Sequence, residues 1–217
     1  MGIGRGYLVG YNSLQFCGWA LALVRAASAA VRGGKVSAYG AARDAVVMCQ
    51  VGSFAEVVHA AIGLTPSPLG AALMQWCGRT HVLLCVLDAT KSLWSTTAAT
   101  ALVLAWALTE VVRYPSYATS ILGKCPQWLN WLRYTIFIPL YPLGAGAEMK
   151  LMYDVRAIAA KKKMYTIKMP NSLNFAFDYV FFLNGLLIVY PFLFYSLYSY
   201  MFVQRKKKLG GEKVKRN

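Results

Sequence analysis

Long apolar stretches without strand-like alternation are the feature that most constrains the fold of this chain. Residues 98–108 and 179–202 are largely apolar and show no two-residue period. Only 14% of the 217 residues are charged, whereas a soluble domain carries about 25%. Backbone polar groups within lipid must pair internally, so a membrane protein is either a helix bundle or a closed barrel. The missing alternation predicts an all-α membrane protein.

Six apolar segments are long enough to cross a bilayer, for which a helix needs about 20 residues. They lie at 7–31, 45–64, 69–87, 96–112, 128–149 and 177–203. We expect the fourth to stop before Pro115 and the fifth to form one helix with a kink at Pro142. The sequence thus predicts a single transmembrane domain over residues 1–217, a bundle of about six helices. Residues 1–6 form its N-terminal segment and residues 204–217 its basic tail.

Basic residues give the chain a formal net charge of +15, and they lie mainly in loops and in the tail. Residues 205–216 contain seven Lys or Arg against one Glu. A basic stretch directly after an apolar helix is typical of the positive-inside rule and of contact with anionic headgroups. No aromatic-interleaved basic module accompanies it. We therefore expect membrane lipid and no nucleic acid as a partner, and a cytosolic tail.

Two further basic features bear on location. Lys213 and Lys215 stand fifth and third from the end of the sequence, a spacing that resembles a dilysine retrieval signal of the endoplasmic reticulum. The connection 150–168 holds six Lys or Arg, although an even number of spans would place it in the lumen. Either one of these basic stretches violates the positive-inside rule, or the number of spans is wrong.

Charged side chains within or beside the apolar segments are the candidates for chemistry. A charge at the bilayer centre costs about 3 kcal/mol, so each one needs a partner or a water-filled cavity. Structural ion pairs and snorkelling side chains are the alternative explanation for many of them. The residues are Glu56, His59, Arg79, Asp88, Glu110, Arg113, Arg133, Glu148 and Asp178.

The fifth segment contains the sharpest grouping. Tyr141 and Glu148 are seven residues apart, which on a helix places them on one face and roughly 10 Å apart along the axis. Arg133, eight residues before Tyr141, lies close to the same face. A substrate fits between the two groups, and both a tyrosine and a carboxyl can transfer protons. The alternative is a tyrosine at the membrane interface and a Glu148 that pairs with Arg133 or Arg113.

Five short motifs follow one another along the chain. They are Tyr7-Leu8…Tyr11-Asn12 with Gly18-Trp19, then Glu56-Val57-Val58-His59-Ala60-Ala61-Ile62-Gly63 with Pro66, then Gln75…Arg79, then Trp106…Glu110-Val111-Val112-Arg113-Tyr114…Tyr117, and finally Tyr141-Pro142-x-Gly144…Glu148. In this order they resemble the very-long-chain (3R)-3-hydroxyacyl-CoA dehydratases, also called the protein tyrosine phosphatase-like family. The resemblance implies a helix bundle that encloses an acyl-chain tunnel in the endoplasmic reticulum membrane.

The resemblance also implies an activity, the dehydration of a long-chain (3R)-3-hydroxyacyl-CoA to the trans-2-enoyl-CoA. This is the third step of very-long-chain fatty acid elongation, and the implied partners are the elongase condensing enzyme, 3-ketoacyl-CoA reductase and enoyl-CoA reductase. Tyr141 and Glu148 are the implied catalytic pair, without metal or cofactor. We assign Glu148 to the α-proton and Tyr141 to the departing hydroxyl, although the sequence is equally compatible with the reverse. The implied supporting residues are Arg79, Arg113, Arg133 and Gly144.

Two other functions fit a helical membrane protein of this size, a non-catalytic scaffold of the elongation machinery and a transporter or channel. The presence of both Tyr141 and Glu148 favours the enzyme. Phosphatase activity is not expected, because a Cys-dependent phosphatase needs a thiolate at the head of its phosphate-binding loop. The corresponding stretch of this chain has Ala60 and Ala61 where that Cys is expected, and Pro66 where the loop's Arg would stand.

Overall fold

The computed structural model describes residues 3–33, 37–170, 172 and 174–214, with side chains up to residue 210. These residues are almost entirely helical, and the pairing that they show outside helices is an isolated antiparallel bridge between Ile167 and Phe177. The prediction of an all-α protein is confirmed. The helices are α1 Ile3–Arg32, α2 Ala38–Gly52, α3 Phe54–Ala61, α4 Leu69–Thr80, a π-helix His81–Asp88, a short 3-10 helix Lys91–Leu93, α5 Thr97–Ile121, α6 Gln127–Arg133, α7 Phe137–Lys162 and α8 Tyr179–Val214.

The helices run back and forth as six legs: α1, α2 with α3, α4 with the π-helix, α5, α6 with α7, and α8. This order places the start of α1 and the end of α8 at one end of the bundle, here called the terminal end. There the Tyr7 hydroxyl hydrogen-bonds His59 Nε2 at 3.0 Å. At the same end the rings of Phe202 and Phe137 pack with their centroids 5.3 Å apart.

The core lies along α5, which packs against α1, α2 and α7. Ala22 and Ala26 of α1 are fully buried, and small residues of this kind let two helices approach closely. Gly18 on the same helix serves the contact with α2, because a Cβ there would lie 2.3 Å from the Cys49 sulfur. The Gly18-Trp19 motif therefore sets the spacing of α1 and α2.

The outward face of α8 is apolar. Phe181, Phe192 and Tyr195 are 80%, 73% and 74% exposed, and soluble monomers rarely expose large apolar patches of this kind. Residues Tyr179–Gly210 of α8 and Ile3–Arg32 of α1 are long and apolar enough to cross a membrane. Two candidate membrane spans are thus present among the described helices.

Each of the six predicted apolar segments corresponds to one leg, but the fourth does not stop before Pro115. Helix α5 continues through that residue to Ile121. The hydroxyls of Ser116, Thr119 and Ser120 each hydrogen-bond a carbonyl oxygen one turn back, at 2.6 to 2.8 Å. Serine and threonine hydroxyls within helices commonly bond a carbonyl oxygen one turn back in this way.

The fifth leg is also not one helix from its start. Helix α6 ends at Arg133 and α7 begins at Phe137, so the helical spacing assumed between Arg133 and Tyr141 was wrong. The predicted terminal segments are largely helical as well, since α1 begins at Ile3 and α8 runs to Val214. The dilysine-like pair Lys213 and Lys215 lies outside the described side chains.

Candidate active site

Tyr141 lies one turn into α7, near the terminal end, and is half-buried. Its ring packs edge-on against Phe137, with the centroids 5.7 Å apart. The charges of Arg113, Glu110 and Arg79 lie near enough to act on its hydroxyl. Within the described part of the chain, that hydroxyl has no hydrogen-bond partner. It is therefore available to a substrate.

Glu148 lies two turns deeper on α7, and both of its carboxylate oxygens accept hydrogen bonds. Trp106 on α5 donates its indole N–H to Oε1 at 3.0 Å. Tyr190 on α8 donates its hydroxyl to Oε2. The alternative in which Glu148 pairs with Arg133 or Arg113 was wrong, because both partners of the carboxylate are aromatic side chains.

Arg79, at the end of α4, is held by one carboxylate and two indoles. Its Nη1 lies 2.5 Å from Glu110 Oε1, and the two side chains are 15% and 2% exposed. The guanidinium carbon lies 4.3 Å from the centroid of Trp106 and 5.6 Å from that of Trp19. Arg79 therefore contacts the indole that contacts Glu148.

Arg113, on α5, extends this charged group towards the terminal end. Its Nε makes an ionic contact with Glu110 Oε2 at 2.7 Å, without the alignment of a hydrogen bond. Its Nη2 lies 3.1 Å from Glu56 Oε1, which also accepts the Tyr114 hydroxyl at 2.6 Å. Together with Arg79, the group contains two cations and two carboxylates, and this balance is what permits their burial.

The other two supporting residues lie in different surroundings. Arg133 stacks on Tyr117 of α5, 4.3 Å from the ring centroid, and does not reach Glu148. Gly144 is buried on α7 between Tyr141 and Glu148. A Cβ at Gly144 would meet Ala105 at 3.9 Å, so this glycine faces α5.

Asp88 has a structural role at the opposite end of the bundle. It follows the third apolar segment and receives two hydrogen bonds from Arg43, one of them from Nη2 at 2.8 Å. Tyr39 adds a third at 3.2 Å. The hydrogen bonds and charge of Arg43 hold the pKa of the Asp88 carboxyl below its usual range.

Glu56, His59 and Asp178 likewise have local partners. Glu56 belongs to the charged group around Arg113, and His59 bonds Tyr7. Asp178 Oδ1 accepts the backbone N–H of Phe181 at 2.8 Å and thereby caps the start of α8. None of the three contacts Tyr141 or Glu148 in the described structure.

The partners of Glu148 were not predicted as site residues. Trp106 stands in one of the five motifs, but its role could not be read from α5 alone. Tyr190 did carry a signal, because a phenol hydroxyl within a very apolar helix needs a hydrogen-bond partner. Both residues are separated from Glu148 by 42 positions, a distance at which helical periodicity contains no information.

Cavities are found at the opposite end of the bundle. One is lined by residues that include Ala159, Lys163 and Asn184, and a second by residues that include Lys161. Neither reaches Tyr141 or Glu148. The acyl-chain tunnel therefore stays a prediction.

Comparison with known proteins identifies relatives that match nearly the full length of the chain. The model of the family described as protein tyrosine phosphatase-like protein, PTPLA, matches residues 50–211. Human very-long-chain (3R)-3-hydroxyacyl-CoA dehydratase 2 is 36% identical over 207 residues, which cover 94% of this chain and 81% of the relative. The dehydratase PASTICCINO 2 of Arabidopsis thaliana is 34% identical, covering 96% and 95%. The Caenorhabditis elegans dehydratase hpo-8 is 35% identical, covering 97% of both chains. No solved structure matches.

Proposed function

Because the chain belongs to the protein tyrosine phosphatase-like family, we propose that Tyr141 and Glu148 are its catalytic pair. The chain is an enzyme of the 3-hydroxyacyl-CoA dehydratase type. It converts a (3R)-3-hydroxyacyl-CoA to the trans-2-enoyl-CoA, the third step of fatty acid elongation. The roles of the two residues follow from their different surroundings.

The observation that supports these roles is a contrast in hydrogen bonding. The Glu148 carboxylate accepts hydrogen bonds from two side chains, whereas the Tyr141 hydroxyl has no partner among the described residues. The indole N–H of Trp106 can only donate, so the oxygen of Glu148 that it contacts is an acceptor. Each oxygen of the carboxylate accepts one hydrogen bond and keeps a second lone pair, which can take a proton. The Tyr141 hydroxyl has no partner among the described residues and can donate to an oxygen of the substrate.

In the proposed reaction Glu148 takes a proton from C2 of the acyl chain. The electron pair of that C–H bond is first held by the thioester as an enolate and then forms the double bond between C2 and C3. The hydroxyl on C3 leaves with a proton from Tyr141 as water. Glu148 then holds one proton and Tyr141 lacks one, and its transfer between them, directly or through water, restores the enzyme.

The membrane arrangement is part of the proposal. All six legs cross the endoplasmic reticulum membrane, and the terminal end, with its basic tail, faces the cytosol. Tyr141 lies near that end, where CoA, a soluble and highly charged group, can approach. The acyl chain then extends from Glu148 into the bundle. The condensing enzyme and the two reductases of elongation are the proposed partners, because they supply and consume its substrate and product.

The test uses the full chain purified in detergent, supplied with a long-chain (3R)-3-hydroxyacyl-CoA, with formation of the enoyl-CoA as the readout. Tyr141→Phe and Glu148→Gln should each lower kcat by about 100-fold or more, the usual contribution of a proton-transfer group. Tyr153→Phe and Asp154→Asn, which alter another tyrosine and another carboxylate further along α7, are the matched controls. Wild-type activity in both test variants would refute the catalytic pair.

The division of roles has its own measurement. In deuterium oxide, Tyr141→Phe should still exchange the C2 proton of the substrate, because Glu148 is intact. Glu148→Gln should not exchange it. Exchange in Glu148→Gln alone would reverse the assignment.

A further inference from the structure

We propose that Trp106 and Tyr190 are positioning residues that hold the Glu148 carboxylate in the orientation needed for proton abstraction. The inference rests on the proposed function, because it gives Glu148 a catalytic role. In this proposal Arg79 acts on Glu148 indirectly, by holding the side chain of Trp106.

The Glu148 carboxylate is bonded to two different helices. A glutamate side chain can rotate about three bonds, and its terminal carboxylate torsion is only weakly restrained. Here the two oxygens are bonded to donors on two different helices, Trp106 on α5 and Tyr190 on α8. Rotation of the carboxylate would break both hydrogen bonds, so the pair fixes the plane of the carboxylate.

The side chain of Trp106 is itself held in place. It is buried, and the guanidinium of Arg79 lies over its ring at 4.3 Å. Arg79 is in turn bound by Glu110, one turn beyond Trp106 on the same helix. The indole is therefore held on its face by a cation and at its nitrogen by Glu148.

Tyr190 lies on the opposite side of Glu148. It is half-buried in α8, directly before Pro191. Its hydroxyl donates a hydrogen bond to Glu148 Oε2. A phenol hydroxyl in apolar surroundings loses free energy without such a partner, which keeps the side chain directed at the carboxylate.

Residues that aim a base, rather than bind substrate, affect the rate of chemistry more than substrate affinity. A displacement of about 1 Å in a reacting group can cost on the order of 100-fold in rate. We expect Trp106→Phe and Tyr190→Phe each to lower kcat by about 10- to 100-fold, with KM changed by less than about twofold. Both substitutions keep an aromatic ring and remove the donor.

Matched controls come from the same protein. Tyr179→Phe removes another half-buried hydrogen bond of α8, the one between its hydroxyl and His81 Nε2 at 2.9 Å. Trp94→Phe removes an indole N–H that donates to the carbonyl of Leu87, also at 2.9 Å. Both controls should keep kcat within about twofold of the wild type, with thermal unfolding in detergent confirming that all four variants are folded.

A second readout separates positioning from general structural damage. In a Glu148→Gln background, Trp106→Phe and Tyr190→Phe should cause no further loss of the residual rate, because they act through that carboxylate. Further losses of 10-fold in that background would overturn the proposal. So would a wild-type kcat in both single variants. If the single variant Glu148→Gln keeps full activity, the catalytic role proposed for Glu148 fails instead.

Discussion

The hydroxyl of Tyr198 on α8 donates a hydrogen bond at 3.0 Å to the backbone carbonyl oxygen of Ile138 on α7. In an uninterrupted helix that carbonyl would accept the backbone N–H of residue 142. Residue 142 is a proline, which has no N–H. The α8 side chain therefore satisfies the carbonyl group that the proline of α7 leaves open. Within a membrane, such an open carbonyl is costly.

This relationship predicts a coupling between the two positions. Tyr198→Phe should lower the free energy of unfolding by about 1 kcal/mol, since a half-buried carbonyl loses its partner. The cost should shrink in a Pro142→Ala background, because the backbone N–H of the new residue then serves Ile138. Unfolding of the four variants in mixed detergent micelles measures the coupling. An equal cost of Tyr198→Phe in both backgrounds would contradict it.

A second prediction concerns the buried pair of Arg79 and Glu110. Arg79→Met leaves Glu110 with Arg113 as its cation and should destabilise the protein by about 3 kcal/mol or more. Lys150→Met, which breaks the exposed ion pair with Asp154 on α7, is the control and should cost less than about 1 kcal/mol. Unfolding midpoints under the same detergent conditions give both values, and similar costs would argue against burial as the cause.

Arg79→Lys tests a different property of the same residue. Lysine keeps a positive charge near Glu110 but has no planar guanidinium to lie on the indole of Trp106. We expect a folded protein whose kcat is lower by about 10-fold, because Trp106 then holds Glu148 less firmly. Steady-state kinetics measure kcat, and a thermal melt of the same sample shows whether the variant is folded. A wild-type kcat would mean that charge alone is required at position 79.

The pH dependence of stability should include a contribution from Asp88. Because Arg43 lowers the pKa of this carboxyl in the folded protein, the ionised form stabilises the fold. That contribution is fully present above the ordinary aspartate pKa of about 4 and is lost as the pH falls through the lowered value. The difference in melting temperature between wild type and Asp88→Asn should therefore be largest near neutral pH and shrink in acid. A difference independent of pH would show that the ionisation of Asp88 does not contribute.

The sequence predicted the legs of the bundle well, because apolar length and the absence of alternation are local features that can be read within one segment. It did not predict the break between α6 and α7, where Tyr134, Thr135 and Ile136 include neither glycine nor proline. That break coincides with the stacking of Arg133 on Tyr117 of α5, a contact between residues distant in sequence. Helical periodicity and turn-forming residues within one segment carry no information about such contacts.

The same division applies to the candidate site. The spacing of Tyr141 and Glu148 on one helix could be read directly, because both lie on α7. The partners of Glu148 could not, because they come from α5 and α8 and their positions depend on how three helices pack. The pairing of Arg113 with Glu110 and Glu56 also depends on how the helices pack. The sequence alone was therefore compatible with several pairings.

The last prediction concerns Gly144, which lies three residues after Tyr141 and four before Glu148 and so shares their face of α7. A methyl group at this position would meet Ala105 at 3.9 Å, an ordinary contact. Gly144→Ala should therefore fold, with stability equal to the wild type or higher by about 0.5 to 1 kcal/mol, as for alanine in other helix interiors. If the substrate lies between Tyr141 and Glu148, the same methyl group intrudes on it.

We accordingly expect Gly144→Ala to lower kcat/KM by about 10-fold or more without loss of stability, since small displacements of bound substrate are costly. Gly146→Ala is the matched control, because it alters the same helix at an exposed position where no described atom lies within 4 Å of the new Cβ. Its kcat/KM should stay within about twofold of the wild type, as surface changes usually do. Equal activity in the two variants would mean that Gly144 serves only the contact with α5, and that the substrate does not lie on this face between Tyr141 and Glu148.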